Sequence, residues 1–356
     1  MSSHHEGMTR RNLLLSVPAL AAASRLRAQS GKGTLPVRFL SHLTLTVTDH
    51  KRSIEFYQGL FGMPIQSRQG PTGGIGLQIG SGPQFIFIGA GNPNAKPEIN
   101  HYCMTVDHFN VDRVLGILEE HGVTKSEGGG GGLGGGPMKS RVRIRSEAQG
   151  GAKEGTPELY FGDPDGLTVQ LQDTTYCGGA GVLGEICPAK PEPSPTKGLI
   201  HLEDLSHFTL SVSDPAKSLE FYQSVFAMPI QAHQGPTPLL GVGSGGQFLT
   251  LAGMGAGRAG APPRKAAINH VSFRMKNFNP DKVLKTLADF GVTPRGDATG
   301  PVGPLKSYVS MRMENRGGAK EGTPELYLTD PDGILLQIQD MSYCGGAGPM
   351  GEICRG

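Results

Sequence analysis

Tryptophan is absent from this chain, and its charges nearly cancel: 33 Lys and Arg stand against 31 Asp and Glu, a formal net charge of +2. No run of basic residues breaks that balance, which excludes a surface for DNA or RNA. Cysteine is scarce, with five residues in all, and the closely spaced pairs of a zinc ribbon are missing. The apolar run from Leu13 to Ala23 is too short to cross a bilayer as a helix, which excludes it as a membrane anchor. What is plentiful is glycine: 55 residues imply many turns between short strands.

Arg10 and Arg11 precede that apolar run, and Ala28-Gln29-Ser30 follows it with small residues at the positions a signal peptidase reads. The pattern resembles a twin-arginine export signal over residues 1–30. The expected location is periplasmic or secreted, with no membrane anchor once the signal is removed.

The stretch from Gly150 to Gly179, GGAKEGTPELYFGDPDGLTVQLQDTTYCGG, returns from Gly317 to Gly346 as GGAKEGTPELYLTDPDGILLQIQDMSYCGG without insertion or deletion. The chain is a duplication. Each version reads as strand, DPDG turn, strand and a glycine-rich tail. Upstream, Phe39 to Asp49 alternates, with His42, Thr44 and Thr46 on one face and Leu43, Leu45 and Val47 on the other. Lys51 to Phe61 follows at helical spacing and stops at Gly62. Two short strands come next, at GIGLQI and PQFIFIG.

The order then restarts with INHYCMTV, which places His101, Cys103 and Thr105 on one face, and with an amphipathic helix from Val111 to His121 closed by Gly122. The glycine run 128–136 is either a flexible connection or a flap over a site. Strand SRVRIRS and the repeated hairpin complete the unit. The second copy repeats this order with His207 and His270, so the expectation is four βαβββ modules: residues 36–187, a proline-rich linker 188–198, and residues 199–354. Each copy is long enough to bury its own core.

Cys177 and Cys187 flank GGAGVLGEI, and Cys344 and Cys354 flank GGAGPMGEI. In an exported protein such ten-residue, glycine-rich closures suit two local disulfides; free thiols are the alternative.

Four βαβββ modules, with SH-x-T-L-x-V-x-D opening one and ELYxxDPDGxxxQ closing the next, resemble the vicinal oxygen chelate superfamily. That group includes glyoxalase I, fosfomycin- and bleomycin-resistance proteins and extradiol dioxygenases. The resemblance implies an α+β fold of half-open, cup-shaped sheets, each cup formed either within one copy or between modules of different copies. It also implies a divalent metal (Fe, Mn, Zn or Ni), with ligands on His42, His101 and Gln170 in copy one and His207, His270 and Gln337 in copy two. The glutamines stand where the superfamily has glutamate, and the FIFIG and FLTLA strands offer no substitute carboxylate. Two imidazoles and an amide leave the cation its full charge and hold it more weakly.

Glu158 and Glu325 are candidates for acid/base work or are hairpin surface charges. Tyr160 and Tyr327 share their face and are candidate hydrogen-bond donors to a bound oxygen, or core residues. Arg145 and Arg312 are candidates for an anionic substrate group, or are solvated surface residues. Cys103 faces Ser272 across the duplication, which argues against a shared nucleophile. Two functions follow. One is a metalloenzyme of dioxygenase, lyase or isomerase type acting on a small molecule with adjacent oxygens. The other is a small-molecule binder of the bleomycin-resistance kind, without metal. Either would be a monomer or a homodimer.

Overall fold

A computed structural model describes residues 32–354 except 72, 256–264 and 297–301. The twin-arginine segment lies outside the described residues. Copy one runs β1 (Val37–Thr46), α1 (His50–Phe61), β2 (Ile65–Arg68), β3 (Ile75–Gln78), β4 (Phe85–Ile88), β5 (Glu98–Val106), α2 (Val111–Glu120), β6 (Thr124–Lys125), β7 (Lys139–Arg145), β8 (Thr156–Gly162) and β9 (Thr168–Asp173). Copy two repeats it as β10 (Asp204–Val212), α3 (Pro215–Phe226), β11 (Ile230–Gln234), β12 (Thr237–Val242), β13 (Gln247–Gly253), β14 (Ala267–Met275), α4 (Pro280–Phe290), β15 (Thr293–Pro294), β16 (Lys306–Arg312), β17 (Thr323–Thr329) and β18 (Leu335–Asp340). The second module of each copy therefore carries one more strand than expected, the two-residue β6 or β15.

The helices begin and end where the sequence signals stand. Asp49 accepts from the Arg52 amide at the start of α1, and Gly62 closes the helix in the left-handed conformation, at φ 66°. Asn110 and Asn279 cap α2 and α4 in the same way, and Asp214 caps α3 ahead of Pro215.

Each copy makes its own nine-stranded sheet, in the order β2-β3-β4-β1-β5-β9-β8-β7-β6 and its counterpart, so each cup is built within one copy. β1 and β5 pair antiparallel at the centre, while β1 with β4 and β5 with β9 are parallel. Alternation sends Leu43, Leu45, Tyr102, Met104, Val169 and Leu171 to the convex side, where they are fully buried.

The two convex sides share one core. A single continuous apolar cluster takes in both copies, contrary to the expectation that each buries its own. Phe161 of copy one packs on Phe221 and Phe226 of α3, Tyr102 packs on Phe208, and Phe56 packs on Phe290. Buried polar groups cross the same seam. Gln84 accepts from the Leu205 amide and Gln247 accepts from the Leu40 amide, while each donates to the other strand's carbonyl in its own copy.

The DPDG turns are fasteners between copies. Asp163 caps its own turn and accepts from Tyr222 of copy two, and Asp330 does likewise with Tyr57 of copy one. The second aspartates reach further. Asp332 takes the amide and hydroxyl of Thr48 and the guanidinium of Arg52, and Asp165 takes the amide and hydroxyl of Ser213. Among the described residues no helix is long and apolar enough to cross a membrane.

Two candidate metal centres

Strand register lays a row of side chains across the floor of each cup. In copy one Phe85, His42, Cys103, Gln170, Tyr160 and Arg141 are successive cross-strand partners. In copy two the row is Phe248, His207, Ser272, Gln337, Tyr327 and Tyr308. His101 lies two residues along β5 from Cys103 and opposite Thr44. The alternation of single strands thus brings two histidines and a glutamine together from β1, β5 and β9.

Their polar atoms converge. Oε1 of Gln170 is 3.0 Å from Nε2 of His42 and 3.1 Å from Nε2 of His101. In copy two, Oε1 of Gln337 is 3.1 Å from Nε2 of His270, and the same amide lies beside His207. The outer ring nitrogens are held as well. Nδ1 of His101 faces Oδ1 of Asn100 at 2.9 Å, and Nδ1 of His42 faces the Ser41 hydroxyl at 3.2 Å. Asn269 and Ser206 repeat these contacts at 2.8 and 3.1 Å. An asparagine oxygen fixes the proton on Nδ1 and leaves the Nε2 lone pair pointing inward. Phe85 stacks on His42 at 4.4 Å and Phe248 on His207 at 4.3 Å, which sets the ring planes.

All four imidazoles are neutral at pH 7. Burial pushes His101 and His270 down to about 4, and burial with the neighbouring histidine lowers His42 and His207 further from their ordinary value. Neutral imidazoles are the form that binds metal. Donor atoms bonded at about 2.1 Å and at right angles lie about 3.0 Å apart, so the glutamine–histidine spacings of 3.0 and 3.1 Å suit neighbouring positions on a six-coordinate cation. Among the described residues no three His, Cys, Asp or Glu side chains gather as a metal set; the glutamine amide is what completes each triad. As oriented, Oε1 of Gln170 and of Gln337 faces the inward lone pair of His101 or His270, which in copy one also meets the Thr44 hydroxyl at 3.1 Å, while Nε2 of each glutamine is buried without a partner. A divalent cation between the donors removes that clash of lone pairs, and on this ground the residues fit one.

The chain matches the profile of the Glyoxalase/Bleomycin resistance protein/Dioxygenase superfamily at residues 39–171 and again at 204–338. It belongs to that superfamily. Among solved structures, the fold is similar to a catechol 2,3-dioxygenase at 14% identity and TM-score 0.54, over 85% of this chain and 87% of that one. It is similar to the Mn(II)-bound glyoxalase from Novosphingobium aromaticivorans at 13% identity and TM-score 0.56, over 89% and 83%. It is also similar to the 2,3-dioxygenase LapB from Pseudomonas sp. KL28 at 15% identity and TM-score 0.55, over 86% and 92%. No curated protein matches the sequence. At these identities the likeness is one of fold, and the superfamily's chemistry has to be argued from the cups themselves.

Glu158 and Glu325 are not surface charges. They are 1% and 4% exposed and line the cups. One oxygen of Glu158 accepts from Arg145 Nε at 2.9 Å and from the Tyr176 hydroxyl at 3.1 Å; the other accepts from the Tyr160 hydroxyl at 3.1 Å. Glu325 is held in the same way by Arg312, Tyr343 and Tyr327. The four tyrosines have their pKa raised, first by burial and then by the adjacent glutamate, so they remain protonated donors.

Arg145 and Arg312 depart from both sequence expectations. Each is fully buried, and its donors are consumed by the glutamate and by main-chain carbonyls: Gly150 and Gly179 for Arg145, Gly317 and Gly346 for Arg312. No face of either guanidinium is left for a substrate. They clamp the glycine-rich tail, which the Cys177–Cys187 and Cys344–Cys354 disulfides close. Cys103 is a free buried thiol.

Sequence reasoning missed Tyr176 and Tyr343, delivered to the cups by those tails, and the Ser41, Asn100, Ser206 and Asn269 supports. The signal was present: Ser-His, Asn-His and Tyr-Cys occur at matching places in both copies. The glycine run lies over the cup of copy one, where Leu133 lines the cavity, and it is tethered rather than loose. Arg141 draws it in, donating to the carbonyls of Gly128, Gly130 and Gly132 and to the Ser126 hydroxyl.

Proposed function

We propose that this is an exported metalloenzyme acting on a small molecule with two adjacent oxygens, by ring cleavage of a catechol-like compound or by a lyase or isomerase step. The reading rests on one observation, the convergence of two neutral imidazoles and an amide oxygen in the floor of each cup. A divalent cation of the Fe, Mn, Zn or Ni kind, held there, supplies Lewis acidity to both substrate oxygens. His42, His101 and Gln170, and independently His207, His270 and Gln337, are its proposed ligands.

The chain's own groups do the rest. Asn100 and Asn269 hold the Nδ1 protons and so keep the inner lone pairs aimed. Glu158 and Glu325, each fixed by an arginine and two tyrosine hydroxyls that donate to it, place a negative, hydrogen-bonded carboxylate in the cup wall. The glycine-rich, disulfide-closed tails suit an oxidising compartment, which supports export.

A second reading has its own observation. Turned by half a rotation, the amide of Gln170 would donate one hydrogen to each of His42 and His101 and satisfy the triad without a cation, leaving a metal-free binder. Metal analysis after exposure of the protein to Fe(II), Mn(II), Ni(II) and Zn(II) separates the two. The enzyme reading expects stoichiometric uptake that falls with His101→Ala and with His270→Ala. Substoichiometric metal that neither substitution changes would sink it.

A further inference from the structure

The duplicated cups have the same floor and different walls. The cup of copy two is a cavity of about 390 Å³ lined by His207, His270, Gln337, Glu325, Tyr327 and Tyr343, among others. The cup of copy one, with the matching floor, holds about 80 Å³. The first is within the range of small-molecule sites and the second has room for a few waters.

Three side chains line cup one that, among the described residues, have no like in the lining of cup two. Phe87 of β4 lines cup one where β13 carries Thr250 in the same register, each two residues along its strand from Phe85 or Phe248 and opposite Thr44 or Thr209. Arg143 of β7 lines cup one, its Nε 3.8 Å from Glu158, where β16 carries Ser310 opposite Glu325. Leu133, from the middle of the glycine run, lines the same cavity.

The run that carries Leu133 is fixed in place. Arg141 donates to Gly132 at 2.6 Å and Gly130 at 2.9 Å, as well as to Gly128. Gly134 lies so close to the main chain of Phe161 and Gly162 that a Cβ there would come within 2.9 Å of it. At the place of Arg141 copy two has Tyr308, which stacks on Tyr327 and carries the Arg295 guanidinium over its ring, 5.3 Å from the ring centre. Among the described residues this device is found in copy one; residues 297–301, at the corresponding place in copy two, lie outside them.

We propose that copy two is the cup that admits the small molecule, and that cup one is plugged by its own chain through Leu133 on the arginine-gathered loop, with Phe87 and Arg143 beside it. The plug covers a floor whose donors are intact, so it separates occupancy by a cation from occupancy by an organic molecule. The inference rests on the reading of the cups as small-molecule sites, but its test needs neither metal nor turnover.

Diethyl pyrocarbonate acylates imidazole nitrogen, and the modified histidine is located by peptide mass mapping. His101 and His270 each sit between an asparagine and a glutamine; the Thr44 hydroxyl, 3.1 Å from Nε2 of His101, is a further contact that the variants below leave in place, so that their effect reads access. In metal-free protein His270 is expected to react several-fold faster than His101. Leu133→Gly and, separately, Phe87→Thr should bring His101 up towards the rate of His270 and leave His270 unchanged. Circular dichroism on each variant checks that it is folded, and the wild-type comparison stands without either. Equal rates in the wild type, or an unreactive His101 in both folded variants, would overturn the proposal. Failure of metal uptake would instead count against the enzyme reading and leave this result standing.

Discussion

At the scale of single residues, the glutamines decide the character of the site. Gln170→Glu and Gln337→Glu would place a carboxylate where the amide now faces two imidazoles. Adding a negative charge beside a buried dication is expected to tighten metal binding by about tenfold or more. Competition with a chromophoric chelator measures it, and an unchanged or weaker affinity would mean that the glutamine is not a ligand. Glu158 carries a different load. With Arg145 fully buried and its partner removed, Glu158→Gln should cost about 3–5 kcal/mol and lower the melting temperature well beyond a surface change. Arg316 is exposed on the wall of cup two, where copy one has Gln149. Arg316→Gln should weaken binding of 3,4-dihydroxybenzoate and spare catechol, as read by calorimetry on the metal-loaded protein.

At the scale of elements, the period of two along a strand made part of the site legible and concealed the rest. His42, His101 and Gln170 fall on polar faces of their strands, and register then sets them together. Arg145 looked like a surface charge because its strand reads Arg-Val-Arg-Ile-Arg. What buries it is the disulfide-closed tail folding back over the end of β7, a long-range contact with no local signature. Tyr176 was hidden for the same reason. Reducing the two disulfides releases those tails; for closures of ten residues the loss is about 2–3 kcal/mol each, seen as a lower denaturation midpoint in reductant. The glycine run looked featureless because its structure comes from carbonyls that Arg141 collects, and glycine alone does not announce it.

The turns between β8 and β9 and between β17 and β18 carry a pH dependence. Burial pushes Asp163 and Asp330 up to about 6, against hydrogen bonds that pull the other way. Unfolded aspartate releases its proton near pH 4, at about 3.9. Between those values the folded protein holds protons that the unfolded chain has lost, so the contribution of these groups to stability falls as pH rises from about 4 to about 6 and levels off above. An Asp163→Asn, Asp330→Asn double variant should flatten that part of the stability profile relative to the wild type. An identical slope would show that neither carboxyl titrates there.

At the scale of the whole molecule, four modules were legible in the repeat, but their partnership was not. Each sheet closes within one copy, while the apolar core and the aspartate fasteners lie between copies. Residues 32–187 alone would expose the face that copy two covers. Because the copies present like surfaces to each other, such a half-chain is expected to associate as a homodimer or to aggregate, and sedimentation that finds a folded monomer would contradict the shared core. The duplication also leaves room for the copies to diverge: the same floor is kept twice, with Phe87, Arg143 and Leu133 over one and Thr250 and Ser310 beside the other.

The most direct measurement of the central claim is anomalous scattering from a crystal soaked in Mn(II). The account predicts one peak in each cup, about 2.0–2.2 Å from Nε2 of both histidines and from Oε1 of the glutamine. Cups without a peak, in which the Gln170 and Gln337 amides turn their nitrogens towards the imidazoles, would contradict it.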